Sequence, residues 1–379
     1  DCIEKAVSNS GITKKEEHNY LPKPEEYKFK EKLVDDSMLY REDMLKLDTR
    51  SKISLSKKLE KLTKDKDKRI ENINNVTYSD GIYETAMLNS AGFSDRYRST
   101  SCLIYVVAIS RQNGDISTGD FFDCGRTASD LDLEKVAKTA ASRSVSVLGG
   151  KKIKSGRVDL LLDPVVSSQF LSVIGGSLTA DAVQKGKSLF KGKIGQKIFS
   201  IDADVFDDGT LPFGLASKPF DGEGVTKGKT CVFEKGYLKT YLHNTYTARK
   251  DRTLSTGNAV RASYRSTPVV GASNFYIKPS DTGFDELLAG IDSGFYVMDI
   301  IGLHSGVNII SGQMSVGAKG IWIEKGSLKY PVKEVTIATD ILSFCRSIKK
   351  VGKDLLFLPW GGYTGSPSMV VSDIMVGGR

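Results

Sequence analysis

Apolar positions in the first fifty residues follow no helical or strand period, and Pro22 and Pro24 break what pattern there is. This stretch reads as an extended connector or docking strap. From about Leu55 to Ile73, Leu55, Leu59, Leu62, Ile70 and Ile73 form an intermittent helical stripe. Val76 to Ser110 then reads as strands, with Ser101–Ile109 β-branched and aromatic. The turn Gln112-Asn113-Gly114-Asp115 follows, where Asn-Gly favours the positive φ angles of a tight hairpin. The clearest helix runs from about Leu133 to Leu148. Asp132 caps it, Leu133, Val136, Ala137 and Ala140 share one face, and Gly149-Gly150 stops it. Arg157–Leu162 has the composition of a buried strand. Asp163-Pro164 supplies an N-cap and an N1 proline for a second helix through about Leu178.

Beyond about residue 200 the pattern becomes short strands punctuated by glycine. Phe233–Tyr241 and Ile323–Tyr330 each place Lys-Gly between two strand-like runs, which predicts two hairpins with a left-handed glycine. The echo shows a reused turn and is too short to establish a duplicated domain. The whole reads as an α+β fold: an N-terminal mixed α/β region, then a glycine-rich, mainly antiparallel β domain. We divide it as 1–50, a connector or remnant of an N-terminal αβ segment; 51–155, a central α/β domain; and 156–379, a β-rich C-terminal domain.

Composition changes this picture little. With 40% hydrophobic residues and 379 positions the chain has material for a sizeable core, and no apolar run is long enough to span a membrane. The net charge of +8 raises nucleic acid as a partner, but much of the Lys/Arg sits in mixed-sign runs such as Lys64–Arg69, the pattern of a solvated helix face. The five cysteines are scattered and none is spaced as CxxC, which reads as free thiols in a reducing cytoplasm. A chain opening on Asp1 without a basic-then-apolar leader reads as a fragment or a processed product.

Candidate chemistry is sparse. His18, His243 and His304 are far apart, and no Cys/His cluster has zinc spacing. His243 could face a cavity, although a structural role leads, and His304 reads as satisfied by a backbone carbonyl. Asp202, Asp204, Asp207 and Asp208 before Gly209 lack the glutamate that closes a calcium loop, so a solvated loop is favoured. The lysine- and glycine-rich stretch Lys185–Lys193 lacks the phosphate-loop pattern. More weight falls on Thr245–Lys250 with Ser255-Thr-Gly-Asn258 and Arg261. Here Arg249, Lys250, Asn258 and Arg261 gather cations and an amide in one turn region, able to hold a peptide's carbonyls or carboxylate. Loop solubility accounts for the same residues equally well.

The chain resembles the TldD/PmbA family, most closely its PmbA (TldE-like) branch, over about residues 55–379. The resemblance rests on Tyr78-Ser-Asp80, Asn89-Ser-Ala-Gly92, Phe206–Pro212, Lys218–Gly224, Tyr246–Lys250, Ser255–Asn258, Val307-Asn308 with Ser311-Gly312, Trp322–Gly326 and Pro331–Ala338. It implies a subunit of a two-protein peptidase, in which a TldD-type partner carries an HExxxH zinc helix and a cysteine ligand near its C-terminus. The corresponding helix here places Leu171 and Gly176 at the histidine positions and Ser172 at the glutamate position, and Trp360–Ser366 has no cysteine. The resemblance therefore implies no catalytic residue, no metal ligand and no cofactor in this chain.

The partners it implies are a TldD-type metallopeptidase in a heterodimer, extended peptide added as a β-strand, and a second copy in a homodimer when the chain is alone. Arg249, Lys250, Asn258 and Arg261 become the expected peptide-binding residues. Family members usually begin with a further αβ segment before the region matching Asp1. A self-sufficient metal-free hydrolase, and a regulator of DNA topology through the family's older name as a modulator of DNA gyrase, remain alternative readings.

Overall fold

The computed structural model describes residues 2–12, 16–360 and 362–378, so Gly361 of the C-terminal motif lies outside the described residues. The order of elements is the expected one: helices first, then a β-rich C-terminal region.

The opening residues are more structured than their aperiodic pattern predicts. Cys2–Ile12 is a helix with no buried residue. Residues 16–48 follow as an irregular strap pinned at Tyr27, Val34, Leu39 and Met44, all buried. The next helix, Thr49–Lys64, begins earlier and ends earlier than its leucine stripe predicts. Asp48 caps its start by accepting the Ser51 amide at 2.8 Å. At its end Asp67 accepts from the Arg69 amide and guanidinium in a turn, which sends Ile70 and Ile73 into a strand.

That strand, Ile70–Leu88, pairs antiparallel with Ser94–Gln112 in a long hairpin. Asn113 and Gly114 both take positive φ, 51° and 80°, and lead into the third strand, Asp115–Gly125. The third strand reaches only to Cys102, so Gly81–Leu88 and Ser94–Ser101 project beyond it as a two-stranded arm. Leu133–Val145 covers this sheet through Val136, Ala137 and Ala140, capped by Asp132. At the arm's end Phe93 and Tyr97 pack edge-on to Phe220, centroids 5.0 and 5.2 Å away. Val34 and Leu39 of the strap complete that cluster, so arm, strap and C-terminal region meet around one ring.

The C-terminal region holds two six-stranded sheets. One centres on Ser293–Ile301, Gly156–Leu162 and Met369–Gly377. The other centres on Asn274–Ile277 and Val205–Asp208. The helix Pro164–Ser177 packs against strands of both, and its Val166, Phe170, Leu171 and Ile174 lie in the shared core. Both Lys-Gly turns are left-handed at lysine and glycine alike: Lys235 and Gly236 have φ of 49° and 80°, Lys325 and Gly326 of 48° and 66°.

A buried ion pair joins the halves. Arg143, on the helix over the three-stranded sheet, donates at 3.0 Å to Asp163, the N-cap of the inter-sheet helix. Asp163 also accepts from the Tyr296 hydroxyl at 3.0 Å. The two side chains are 7% and 14% exposed, so neither charge can turn to water if its partner is lost. Asp163→Ala should destabilise the protein by about 3–5 kcal/mol, and Tyr296→Phe by about 1 kcal/mol. Urea unfolding of both variants checks this; equal losses would show that the carboxylate's charge is not what matters.

Candidate functional site

The motif residues between 206 and 274 converge on one buried polar network. Asp207 is 2% exposed and accepts from Asn258 Nδ2 at 2.7 Å and from the Ser273 amide at 2.6 Å. Its loop is therefore not the solvated acidic turn the sequence predicts. Asp221 is as deeply buried and gathers three amides, those of Glu223, Val225 and Ala259, at 2.9–3.0 Å. Lys227 donates to the Gly257 carbonyl at 2.8 Å. A Cβ on Gly209 would come within 2.5 Å of the Lys227 side chain, and one on Gly257, at φ 72°, within 2.9 Å of the Thr226 carbonyl. Both glycines are thus needed for the loops to close over the lysine.

Burial sets the electrostatics here. It pushes the Asp207 carboxyl up and the Lys227 ammonium down, each partly opposed by the other's charge. It raises Asp221 to about 6, helped by repulsion from Glu223. Glu223 in turn accepts the Thr245 amide at 2.9 Å, at the start of the short helix Thr245–Lys250, which Asn244 caps. The network's product is thus the placement of that helix and of Arg249 in its last turn.

The four expected binding residues lie along this one segment in different circumstances. Asn258 is fully buried; its amide donates to Asp207 and to Gly271, and its oxygen accepts from Thr256. It holds loops together and has no group free for a ligand. Arg261 is exposed and ties the Gly222 and Ser266 carbonyls at 2.6 and 2.5 Å. Lys250 is exposed, 5.0 Å above the Tyr246 ring. Arg249 faces the strap.

Every N–H of the Arg249 guanidinium is used there. Nε and Nη2 grip the Glu26 carboxylate at 2.6 and 2.7 Å. Nη1 donates to the carbonyls of His18 and Tyr20 at 2.9 and 2.8 Å, and Nη2 to that of Leu21 at 3.2 Å. The Tyr20 ring stacks on the guanidinium at 3.4 Å. The grip holds the Glu26 carboxyl below the usual range. Beyond it the strap runs parallel to Ser255: the Ser255 amide donates to the Glu26 carbonyl at 3.0 Å, and the Lys28 amide to the Ser255 carbonyl at 3.1 Å. His243 is 3% exposed, its pKa lowered by burial and its Nδ1 without a partner. His304, by contrast, is exposed on the short turn Leu303–Gly306.

Sequence reasoning missed the strap side of this site. Its signal was the acidic Glu25-Glu26 pair just after Pro22 and Pro24, where Pro24–Glu26 forms one short helical turn. The inter-sheet helix offers nothing to a metal. Leu171 is core, Gly176 has open space and no side chain, and the Ser172 hydroxyl donates to its own helix at the Gln169 carbonyl. Among the described residues no three His, Cys, Asp or Glu side chains are gathered to hold an ion. These residues do not fit zinc.

Comparison with known proteins gives a consistent result. Residues 42–148 match the central domain, and residues 155–378 the C-terminal domain, of the PmbA/TldA metallopeptidases. A PmbA metalloprotease homologue of Buchnera aphidicola from Acyrthosiphon pisum is 30% identical over 304 residues, 80% of this chain and 66% of that protein. A metalloprotease of Methanothermobacter thermautotrophicus is 30% identical over 327 residues, 80% of this chain and 69% of that one. The chain thus spans about two thirds of the length of the curated relatives it matches. A crystal structure from Thermotoga maritima, described as a proposed modulator of a DNA gyrase, superposes with a TM-score of 0.88 at 30% identity, over 99% of this chain and 83% of that one. TldE from Thermococcus kodakarensis shares the fold, with a TM-score of 0.85 at 22% identity, over 99% of this chain and 84% of that one.

The raised Asp221 pKa has a consequence for stability. The folded state holds this proton more tightly than the unfolded chain, where the ordinary value is 3.8. The contribution is therefore complete below about pH 4 and lost as pH rises through about 6, about 3 kcal/mol in all. Between pH 4 and 7 the wild type should lose about that much more unfolding free energy than Asp221→Asn. Parallel curves for the two proteins would show that Asp221 does not titrate in this range.

Proposed function

The chain belongs to the PmbA/TldD metallopeptidase family, and from that premise we propose that it is a PmbA (TldE-like) subunit that performs no hydrolysis itself. It pairs in the cytoplasm with a TldD-type partner whose HExxxH helix carries the zinc, and it helps to hold extended peptide for that partner to cut. The observation that carries this reading is the inter-sheet helix, where Leu171 is core and Gly176 has no side chain. Without ligands no zinc-activated water forms on this chain, and the peptidase chemistry of the family has to come from a second subunit.

Peptide holding is supported by the edge at residues 245–261. Of the four residues expected to hold it, Lys250 and Arg261 are exposed there, Asn258 fixes the loop, and Arg249 presents its fork where it meets main-chain carbonyls and a carboxylate. A fork on carbonyls recognises the backbone of an extended chain and makes little demand on its sequence. No helix among the described residues is long and apolar enough to cross a membrane.

The experiment is reconstitution. The purified chain alone should cleave no unfolded peptide and hold no stoichiometric zinc, and by light scattering it should run as a homodimer. Mixed with an HExxxH-bearing partner it should form a heteromeric species that hydrolyses peptide. Elemental analysis finding about one zinc per isolated chain, or peptidase activity from the chain alone, would overturn the reading.

A further inference from the structure

We infer that residues 18–28 of the strap are an intramolecular ligand, seated on the surface between Arg249 and Ser255, which takes a glutamate-bearing peptide in their place. The inference rests on the peptide-holding reading and names what regulates that site. Two observations carry it. First, Arg249 binds the strap through generic acceptors: three backbone carbonyls and one carboxylate, gathered around it by turns of the chain, take all five N–H groups. Second, the strap continues as a strand-like pairing on Ser255, the geometry in which an added peptide gains main-chain hydrogen bonds.

The hold on the outer part of the strap is local. Tyr20 and Leu21 are about half exposed, and the Cys2–Ile12 helix before them buries no residue. Releasing Arg249 therefore frees His18 to Leu21 without opening the core. Tyr27, which is buried, has to lift away with the displaced segment, while the inner part, from Val34 to Met44, is anchored by buried side chains and stays. A tethered segment competes at high effective concentration, so an incoming peptide binds the intact chain weakly until the tether is loosened. Contact with a partner subunit, or a local excess of substrate, would supply that loosening.

The test uses the full chain and a fluorescein-labelled synthetic peptide of residues 16–30. Glu26→Ala in the chain weakens the tethered copy, and the labelled peptide should then bind at least tenfold tighter than to wild type. Adding Arg249→Met to that variant should abolish binding, and so should replacing the peptide's own glutamate at the Glu26 position with alanine. On the wild-type chain, which depends on no variant's folding, saturating peptide should raise amide hydrogen exchange at residues 18–28 and leave Val34 to Met44 protected. Equal binding with and without Arg249, or bound peptide that leaves exchange at 18–28 unchanged, would overturn the inference. A reconstituted complex that still cuts peptide in that case would leave the subunit role standing and remove only the strap's part in it.

Discussion

A helix that runs between two sheets has little face left for water, and the composition of Pro164–Ser177 follows from that constraint. Its N-terminus is held by Asp163, itself paired with Arg143 and Tyr296, so the one charged end is neutralised from both halves of the molecule. The rest is Val, Ser, Phe, Leu, Ile and Gly with one Gln169; Ser177 donates to its own helix and Ser168 to a neighbouring strand, while the buried Ser167 hydroxyl has no partner. Packing on the helix is close: Gly175 lies against the Phe275 ring, where a Cβ would come to 3.0 Å.

With the helix given over to packing, the polar groups of the C-terminal region collect at the other end of the second sheet. There Asp207 and Asn258 bond each other, Asp221 takes three amides and Lys227 takes the Gly257 carbonyl. The network fixes loops, and the placement of Thr245–Lys250 is what results.

Local signals were readable where the chain decides its conformation within a few residues. Asn113-Gly114, Asp132, Asp163-Pro164 and the two Lys-Gly turns each carry their own reason, and each forms as its sequence requires. The stripe of Leu55, Leu59 and Leu62 was extended wrongly to Ile73 because period alone cannot see the Asp67–Arg69 turn. At the site, the segment holding Arg249, Lys250, Asn258 and Arg261 was legible, while the division of labour within it was not. Asn258 meets Asp207, fifty-one positions away, and Arg249 meets Glu26, more than two hundred away. No composition or spacing rule links residues so distant, and the strap's aperiodic sequence hides that it is an acceptor-rich ligand.

The strand Met369–Gly377 lies in the interior of its sheet, between Gly156–Leu162 and Ile348–Val351, and also pairs with the end of Ser327–Asp340. It carries buried Met369, Val371, Ile374 and Val376 into the main core. The last-made strand is therefore one the first-made strand of that sheet cannot do without, although some two hundred residues separate them. During synthesis the earlier three-stranded sheet can close on local contacts as it emerges. The C-terminal region must wait, holding an unfilled slot lined with Leu160 and Leu162, until the final strand arrives to occupy it.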